Sequence, residues 1–514
     1  MILLKNVKIK KDDEETLVNK IKKILWIEDD FKYEIYKKSI DARNGITFNY
    51  QVLVDVHLTD RKLQKIKDAE IYKEENFKIN PPYSDSKVVI VGTGPSGIFC
   101  GYILAKYGIR PILIERGKKV EERVEDVEKF LESFSLDEES NVQFGEGGAG
   151  TFSDGKLTAR SKDKRLREVL KIYVENGAPE DILYEAKPHI GTDVLRDVVA
   201  NMRKYIEKKG GEFRFSTKMN DIEFNGDRVT SIDTTNGKIE ADNFVLALGN
   251  SARDTFFKLS ENVKMENKPF AVGFRIEHKQ RDIDLAQYKV EDKTLPPASY
   301  NLTYRDEDSG IGVYTFCMCP GGYVINASSE KDHLCVNGMS FHSRDRENSN
   351  SAIIATIDEK IYGSNLLDGI RFQREIEKKA YELGGESYLA PVQKVGDFLE
   401  NKETTEFGKI IPTVKPGYKP SNLRGIYPEA VEGAIANAIK YMGKRLRGFA
   451  AEDAILTGVE TRSSCPIRIL RDENMKSLSF ENLYPIGEGS GYSGGIVSSA
   501  IDGIKAAELI LKGE

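Results

Sequence analysis

The sequence has few cysteines and few histidines, and each scarcity excludes a class of protein. Five cysteines among 514 residues, an odd number without Cys-x-x-Cys spacing, do not build the disulfide framework of a secreted domain. Such usage is typical of a reducing compartment, and we predict a cytoplasmic protein. The five histidines lack metal-ligand spacing, so we expect no metal site.

Long apolar runs and a strong excess of one charge are also missing. No segment approaches the length that spans a bilayer, and residues 1–11 alternate apolar residues with lysines, as a strand does and a signal peptide does not. The formal net charge is −6, so nothing draws the whole chain toward nucleic acid or an anionic membrane. We therefore expect neither partner, and the length predicts two or three domains.

What the sequence does contain is a glycine-rich turn between an apolar strand and a helix, at residues 87–97 (KVVIVGTGPSG). Gly92 and Gly94 make the turn, and Gly97 lets the helix pack close to the strand. The helix N-terminus offers free N–H groups and a positive dipole end to a pyrophosphate. A second strand ends at Glu115, whose carboxylate can accept both ribose hydroxyls, so this order of elements predicts a dinucleotide site.

A second glycine-rich loop lies near the other end of the chain, at residues 483–497 (LYPIGEGSGYSGGIV). An NAD domain has no use for this loop, whereas the longer FAD needs another element to hold its ribityl and isoalloxazine parts. Glu488 can accept from a ribityl hydroxyl, and the helix that opens near Gly495 and Ile496 can aim its positive end at the flavin. The two loops together favour FAD; an ordinary turn before a C-terminal helix is the alternative.

A third glycine-rich segment, residues 143–157 (QFGEGGAGTFSDGKL), predicts a close approach of backbone to a ligand. We expect it to lie against the pyrophosphate, the ribityl chain and the isoalloxazine. A buried strand that ends at Gly249 returns to the nucleotide, and the adenine is expected near Lys218 and Met219. The residues expected to bind FAD are Gly92, Gly94, Pro95, Ser96, Gly97, Glu115, Arg116, Gly117, Gly147, Gly148, Ala149, Gly150, Thr151, Lys156, Leu157, Met219, Gly249, Gly487, Glu488, Gly495 and Ile496.

The hydrophobic pattern divides the chain into four segments. Residues 1–80 predict a small N-terminal α+β, ferredoxin-like unit with a hairpin at Asn44 and Gly45, followed by a linker at Pro81 and Pro82. Residues 84–267 and 451–514 are expected to form the two parts of an FAD-binding domain. Residues 268–450 are expected to form a substrate or cap domain inserted between them. Within this insert the spacing predicts helices at residues 349–361, 370–383 and 429–446.

The order of these motifs resembles the glutathione-reductase-type FAD fold, and more narrowly the uncharacterised bacterial FAD-dependent dehydrogenases. The resemblance implies an α/β fold with a three-layer Rossmann-like FAD-binding domain, an inserted α+β substrate domain and a small N-terminal α+β domain. It implies bound FAD and redox chemistry, and it supplies no substrate. Cys465 departs from the pattern, which favours a small or hydroxyl side chain there. The matching stretches are residues 91–97 (VGTGPSG), 145–156 (GEGGAGTFSDGK), 317–322 (CMCPGG), 459–464 (VETRSS) and 484–489 (YPIGEG).

Three segments compete to supply catalytic groups. Cys317 and Cys319, if extended, point to one face and could exchange electrons with the flavin; buried unreactive thiols are the alternative. His342 could act as an acid or base, as histidines often do, with Arg344 or Arg346 clamping a carboxylate or phosphate. A structural histidine is the alternative there.

Arg462 is the third candidate. It could contact the substrate or steady the flavin, and the alternative is an ion pair between domains. The chain has no second strand–GxGxxG–helix unit for a nicotinamide nucleotide. We therefore predict an FAD-dependent oxidoreductase, a dehydrogenase that transfers hydride between a small organic substrate and FAD, with NAD(P)H as a transient reductant. An FAD-binding sensor without turnover and an NAD(P)H-driven flavin reductase are the alternatives.

Overall fold

The computed structural model describes residues 1–73, 77–80, 86–158 and 163–513, and the linker predicted at Pro81 and Pro82 lies outside them. The N-terminal unit is an antiparallel sheet with the strand order β2-β3-β1-β4. This strand order, with the chain order β-α-β-β-α-β, is that of a ferredoxin-like arrangement. The predicted hairpin lies between β2 and β3. The elements are β1 (Ile2–Ile9), α1 (Glu14–Leu25), β2 (Lys32–Asp41), β3 (Thr47–Asp55), α2 (Asp60–Leu63) and β4 (Ala69–Ile71).

The next segment alternates strands with helices and then forms a short antiparallel meander. Its elements are β5 (Val88–Val91), α3 (Pro95–Lys106), β6 (Ile112–Ile114), α4 (Val120–Ser133), α5 (Arg165–Glu175), α6 (Thr192–Lys208), β7 (Glu212–Arg214), β8 (Met219–Asn225), β9 (Arg228–Thr234), β10 (Gly237–Glu240), β11 (Asn243–Leu246), α7 (Arg253–Leu259) and β12 (Met265–Asn267). Two 3₁₀ turns, Ala149–Phe152 and Glu180–Leu183, lie between these elements.

The insert is built on a large mixed sheet with the order β14-β15-β18-β13-β21-β19-β20. Its elements are β13 (Phe270–Lys279), α8 (Gln280–Tyr288), β14 (Thr303–Arg305), β15 (Gly312–Cys319), β16 (Tyr323–Asn326), β17 (Val336–Met339), β18 (Asn348–Ile357), α9 (Glu359–Tyr362), α10 (Asp368–Leu383), β19 (Ala390–Lys394), α11 (Val395–Glu400), β20 (Tyr418–Pro420), α12 (Glu429–Arg445) and β21 (Ile455–Glu460). The chain then forms β22 (Ile467–Ile469), β23 (Leu483–Pro485) and α13 (Ile496–Lys512).

Two expectations about the insert need correction. The helix predicted at residues 349–361 is wrong: this segment is mostly β18, which pairs with β13 on one side and β15 on the other. Both faces of β18 are buried, and its sequence, NSNSAIIATI, does not alternate polar with apolar residues, so periodicity cannot distinguish it from a buried helix. The helices predicted at 370–383 and 429–446 are confirmed as α10 and α12.

The second correction concerns the boundary predicted at residue 450. β21 follows that boundary but pairs with β13 and β19, so the insert's sheet extends to Glu460. A short apolar strand has the same composition in either sheet, and only its partners decide where it belongs.

The FAD-binding part predicted from the sequence has the three expected layers. Its central sheet is parallel, with the order β23-β11-β5-β6-β7. Helices α3, α6 and α13 cover one face through side chains such as Phe99, Met202 and Ile504. The β8–β10 meander covers the other face through Ile222 and Ile232. The carboxyl ends of β5, β11 and β23 therefore meet at one edge, where α/β sheets bind ligands. Within the described residues, every helix is too short or too polar to cross a bilayer.

Candidate active site

A cavity of about 860 Å³ lies at this edge of the parallel sheet and continues to the large sheet of the insert. Gly92, after β5, and Glu488, after β23, both line it, with β11 between their strands. Tyr300 and Cys317 line it from the insert. The volume falls within the roughly 300–1,000 Å³ that is usual for a ligand site. Loops from the two ends of the FAD-binding part and from the insert thus share one cavity.

Two helices begin at the wall of this cavity. Pro95 and Ser96 at the start of α3 line it, as do Gly495 and Ile496 at the start of α13. In the described part of the chain no side chain caps either N-terminus. The first amides of both helices and their positive dipole ends are therefore available to an anionic or electron-rich group. This is the donor arrangement that a dinucleotide with a pyrophosphate requires.

Backbone crowding separates the glycines of this region into two groups. A Cβ on Gly92 would lie 2.5 Å from the Ala247 carbonyl oxygen, and one on Gly97 would lie 1.9 Å from the Gly92 carbonyl oxygen. These two glycines allow strand and helix to pack. A Cβ on Gly94 meets nothing closer than 3.9 Å, and one on Gly249 meets nothing within 4 Å. Because both of these line the cavity, their missing side chains leave room for a ligand, which fits FAD.

The residues that the sequence assigned to FAD fall into two sets. One set forms the cavity surface, and the other lies behind it and shapes the loops; Thr151 and Leu157, for example, are buried. The first set is Gly92, Gly94, Pro95, Ser96, Glu115, Arg116, Gly148, Ala149, Gly150, Lys156, Met219, Gly249, Glu488, Gly495 and Ile496. The second set is Gly97, Gly117, Gly147, Thr151, Leu157 and Gly487.

Glu115 lines the cavity, and its carboxylate also joins the turn after β5, the turn after β6 and the glycine-rich segment 143–157. One carboxylate oxygen accepts from the backbone N–H and the hydroxyl of Thr93, at 3.0 and 2.8 Å. The other oxygen accepts from the N–H groups of Gly117 and Gly145, at 3.0 and 3.1 Å. Four protein donors thus already bind this carboxylate, so accepting ribose hydroxyls requires an exchange of some of these bonds.

The segment 143–157 is held by Arg123, which the sequence analysis missed. This guanidinium is buried and donates to the carbonyl oxygens of Asn141, Val142, Glu146 and Gly148 at 2.7–2.9 Å. A signal for it exists in α4, where the buried face is Val120, Arg123, Val127 and Phe130. Arg123 is the charged residue at the apolar spacing of that helix, and an arginine there must find partners inside the protein.

Two of the carboxyl groups that line the cavity have a raised pKa. Glu488 accepts from the Asn250 amide at 3.0 Å, and burial raises the pKa of Glu488 to about 7. Burial likewise raises the pKa of Glu460 to about 7, although Arg275 lies 3.5 Å from its carboxylate. Both groups can therefore take up or release a proton near neutral pH, as an acid or base beside a reacting centre must.

The two candidate cysteines occupy different environments. The pairing of β15 with β18 is irregular between Phe316 and Cys319, and Cys317 has a φ of 42° in this bulge. Cys317 lines the cavity, whereas Cys319 is buried behind it and its thiol donates to the Cys317 carbonyl oxygen at 3.3 Å. The two thiols therefore do not share one exposed face, and Cys317 alone meets the cavity.

Two cationic side chains lie near the Cys317 thiol. A hydrogen bond from the Cys319 thiol, followed by the nearby charges of Lys156 and Arg275, lowers the pKa of Cys317 despite its burial. The same pair interaction raises the pKa of Cys319. A thiol with a lowered pKa at the cavity wall is a candidate for chemistry, since the thiolate is the reactive form.

His342 does not line the cavity. Its Nδ1 lies 3.0 Å from the Ile190 carbonyl oxygen, and its ring stacks on His189 at 5.2 Å. Its backbone N–H donates to Asp193 at the start of α6 at 2.8 Å. The residue therefore fixes the insert against α6, and we no longer assign it a catalytic role.

Arg462 lines the cavity, but its guanidinium is bound to the protein. Its Nε and Nη2 donate to the two carboxylate oxygens of Glu377 at 3.0 and 2.7 Å. Arg253 donates to the same carboxylate at 2.8 and 2.7 Å. Glu377 lies on α10 of the insert and Arg253 on α7, so this is the ion pair between domains that was the alternative for Arg462.

Comparison with known proteins agrees with this geometry. Residues 269–463 match the family model described as FAD-dependent protein, C-terminal domain-like, and residues 53–278 match the model of the pyridine nucleotide-disulphide oxidoreductases. An uncharacterized protein from Clostridium beijerinckii is 44% identical over 525 residues, covering 99% of this chain and 98% of that protein.

Solved structures with a distant likeness include two enzymes. Glycine oxidase from Geobacillus kaustophilus has a TM-score of 0.37 and 12% identity, covering 83% of this chain and 94% of its own. L-proline dehydrogenase from P. horikoshii has a TM-score of 0.34 and 12% identity, covering 84% and 95%. On the family models and the full-length relative, the chain belongs to the family of FAD-dependent proteins with this C-terminal domain, and it is an FAD-dependent oxidoreductase.

Proposed function

We propose that FAD lies along the cavity and that a small organic substrate enters it from the side of the insert. The observation that carries this proposal is the shared cavity of Gly92, Glu488 and Cys317. The uncapped start of α3, with Gly94 and Ser96, suits the pyrophosphate, and the loop at Gly148 and beyond lies beside it. Met219 is proposed to contact the adenine, and Glu488 the ribityl chain.

When bound, FAD supplies a two-electron acceptor for a hydride. The chain's own residues orient the substrate and handle its proton. Asn337 presents a side-chain amide from the insert, whereas the hydroxyls of Tyr300 and Thr315, which also line the cavity, bind Ser351 and the Leu302 backbone. Glu460 is the proposed base, because its carboxyl lies at the cavity wall with a pKa raised by burial to about 7. A base with a pKa near the working pH exchanges protons most effectively.

The second substrate of the cycle is proposed to use the same cavity. The described residues contain one strand–GxGxxG–helix unit, at β5 and α3, and the other glycine-rich loops line the same cavity. NAD(P)H is therefore proposed to react transiently, without a nicotinamide domain of its own. All five cysteines are free thiols, which supports the cytoplasm as the proposed location.

Anaerobic reduction of the bound flavin tests this function. The purified yellow protein is mixed with a panel of small metabolites and, separately, with NADH and NADPH, and flavin bleaching is followed by absorbance. We expect at least one organic compound to bleach the flavin, and Glu460→Gln to slow that reduction without releasing FAD. Retention of FAD without bleaching by any compound would favour a sensor over an enzyme.

A further inference from the structure

Three cationic side chains lie close together at the cavity wall, and two of them are beside one carboxylate. Lys156, Lys187 and Arg344 line this region, and the carboxylate is that of Asp154, which is buried. Lys156 and Asp154 belong to the glycine-rich segment, Lys187 lies before α6, and Arg344 comes from the insert. Segments that are far apart in sequence thus bring positive charge to one place.

Arg344 and Ser340 supply the hydrogen bonds to Asp154. The Nε and Nη2 of Arg344 donate to the two carboxylate oxygens at 3.0 and 2.5 Å, and the Ser340 hydroxyl also donates to this carboxylate. Lys156 Nζ lies 3.4 Å from Asp154 Oδ2 and is buried, yet it makes no hydrogen bond to any described residue. A buried ammonium without a hydrogen bond is costly unless a ligand supplies the acceptor.

Lys187 adds a second ammonium at the mouth of the cavity. Its Nζ donates to the Ser299 hydroxyl at 2.9 Å. Burial lowers the pKa of Lys187, and the charges of Lys156 and Arg344 lower it further, which shows that the three cations repel one another. His189 adds no further positive charge, because burial lowers the pKa of His189 to about 4 and the ring is neutral.

The other charged groups near this cluster do not remove its excess positive charge. The charges of Lys156 and Arg275 both act on the Cys317 thiol, so an ionised Cys317 would share these two cations and offset one positive charge. Arg275 also lies 3.5 Å from the Glu460 carboxylate. The single charge of Asp154 lies beside both Lys156 and Arg344, so it cannot neutralise these two cations and Lys187 as well. Uncompensated positive charge in a cleft attracts an anion.

We infer that Lys156 and Lys187 bind an oxyanion of the substrate, so that the substrate is a small organic acid or a phosphate ester. This inference rests on the proposed function, in which the substrate enters from the insert. The pyrophosphate of FAD is proposed to bind elsewhere, at the start of α3. Lys156 is thereby reassigned from the cofactor to the substrate. Lysine ammonium groups suit this task because they act as point charges with rotatable donors.

The test uses the FAD-containing protein and two probes, sodium acetate and inorganic phosphate, each titrated at constant ionic strength. The flavin difference spectrum and the melting temperature are measured. We expect a saturable spectral change and a raised Tm with at least one probe; acetate points to a carboxylate substrate and phosphate to an ester. Lys187→Met and Lys156→Met are each expected to weaken this binding by about tenfold, the usual scale for a hydrogen bond to a charged group.

Lys440→Met, the same substitution at an exposed position of α12, is the control and is expected to bind both probes as the wild type does. Absence of saturable binding of either probe to a protein that retains FAD would overturn the inference. Loss of FAD from Lys187→Met would also overturn it, because the cluster would then serve the cofactor. A wild type that binds no FAD would refute the proposed function instead, and the Tm arm would still report anion binding.

Discussion

Arg275 donates a hydrogen bond from Nη2 to the carbonyl oxygen of Cys317 over 3.0 Å. Arg275 lies on β13, and Cys317 lies in the bulge of β15, two strands away across β18. Arg275 is fully buried, so this bond fixes the bulge that presents Cys317 to the cavity. Bulges that re-aim a side chain are common next to active sites.

The first prediction concerns thiol reactivity. In protein freed of FAD, iodoacetamide should label Cys317 at about pH 6.5, where an ordinary thiol with a pKa of about 8.5 is almost entirely protonated. The hydrogen bond from Cys319 and the nearby cations lower the pKa of Cys317, so its thiolate persists at that pH. Mass spectrometry of labelled peptides measures the rate.

Cys335 supplies the matched control, since it also lines the cavity but burial raises its pKa to about 12. Cys317→Ser should abolish the fast labelling and Cys335→Ser should leave it unchanged. Labelling that begins only above about pH 8 would show that the Cys317 thiol is ordinary.

The second prediction concerns the contact of insert and FAD-binding part. Glu377→Gln should destabilise the protein by about 3–5 kcal/mol in urea unfolding, because Arg253 and Arg462 would lose their buried carboxylate. Glu375→Gln, on the exposed side of α10, breaks only a surface pair with Lys379 and should change stability by less than about 0.5 kcal/mol. Equal effects of the two substitutions would contradict a role for Glu377 in holding the domains together.

The Glu377 carboxylate also makes the stability of the folded protein depend on pH. Burial alone would raise the pKa of Glu377, but Arg253 and Arg462 hold it well below its usual range. A lowered pKa in the folded state contributes stability above the unfolded pKa of about 4.3 and loses it as the pH falls. The wild type should therefore approach Glu377→Gln in stability as the pH falls below about 4. A difference in unfolding free energy between the two proteins that stays constant with pH would contradict this.

The third prediction concerns Glu488, whose pKa burial raises to about 7. A raised pKa in the folded state contributes stability below the unfolded value of about 4.3, and this stability is lost as the pH rises through about 7. Glu488→Gln keeps the size of the acid and an acceptor for Asn250, and it cannot ionise. In FAD-free protein the variant should gain stability over the wild type between about pH 5 and pH 8, measured by thermal unfolding. A pH-independent difference would contradict a buried, titrating Glu488.

Local patterns were enough to predict the parallel sheet, the glycine-rich loops and the cavity surface at Gly94 and Glu488. These features depend on turn geometry and on the order of strand, turn and helix, which a sequence states directly. β18 was assigned to a helix because a strand buried on both faces has no alternating pattern. The partners of Cys317 and Arg462 lie on distant elements, so no local pattern announces them. Arg123 did have a signal, its place on the apolar face of α4.

The most direct test of the central claim, that FAD lies along the cavity between the two glycine-rich ends, is the flavin content of Gly94→Val. Gly94 has a φ of −67°, which valine adopts without strain, so the added side chain acts by filling the cavity. Gly433→Val, on α12 with nothing within 4 Å of the added Cβ, is the matched control. Each variant is first shown to be folded and is then incubated with FAD and desalted. The flavin absorbance per mole of protein is compared. The control should retain FAD as the wild type does and Gly94→Val almost none; equal retention by the two variants would contradict this placement of the cofactor.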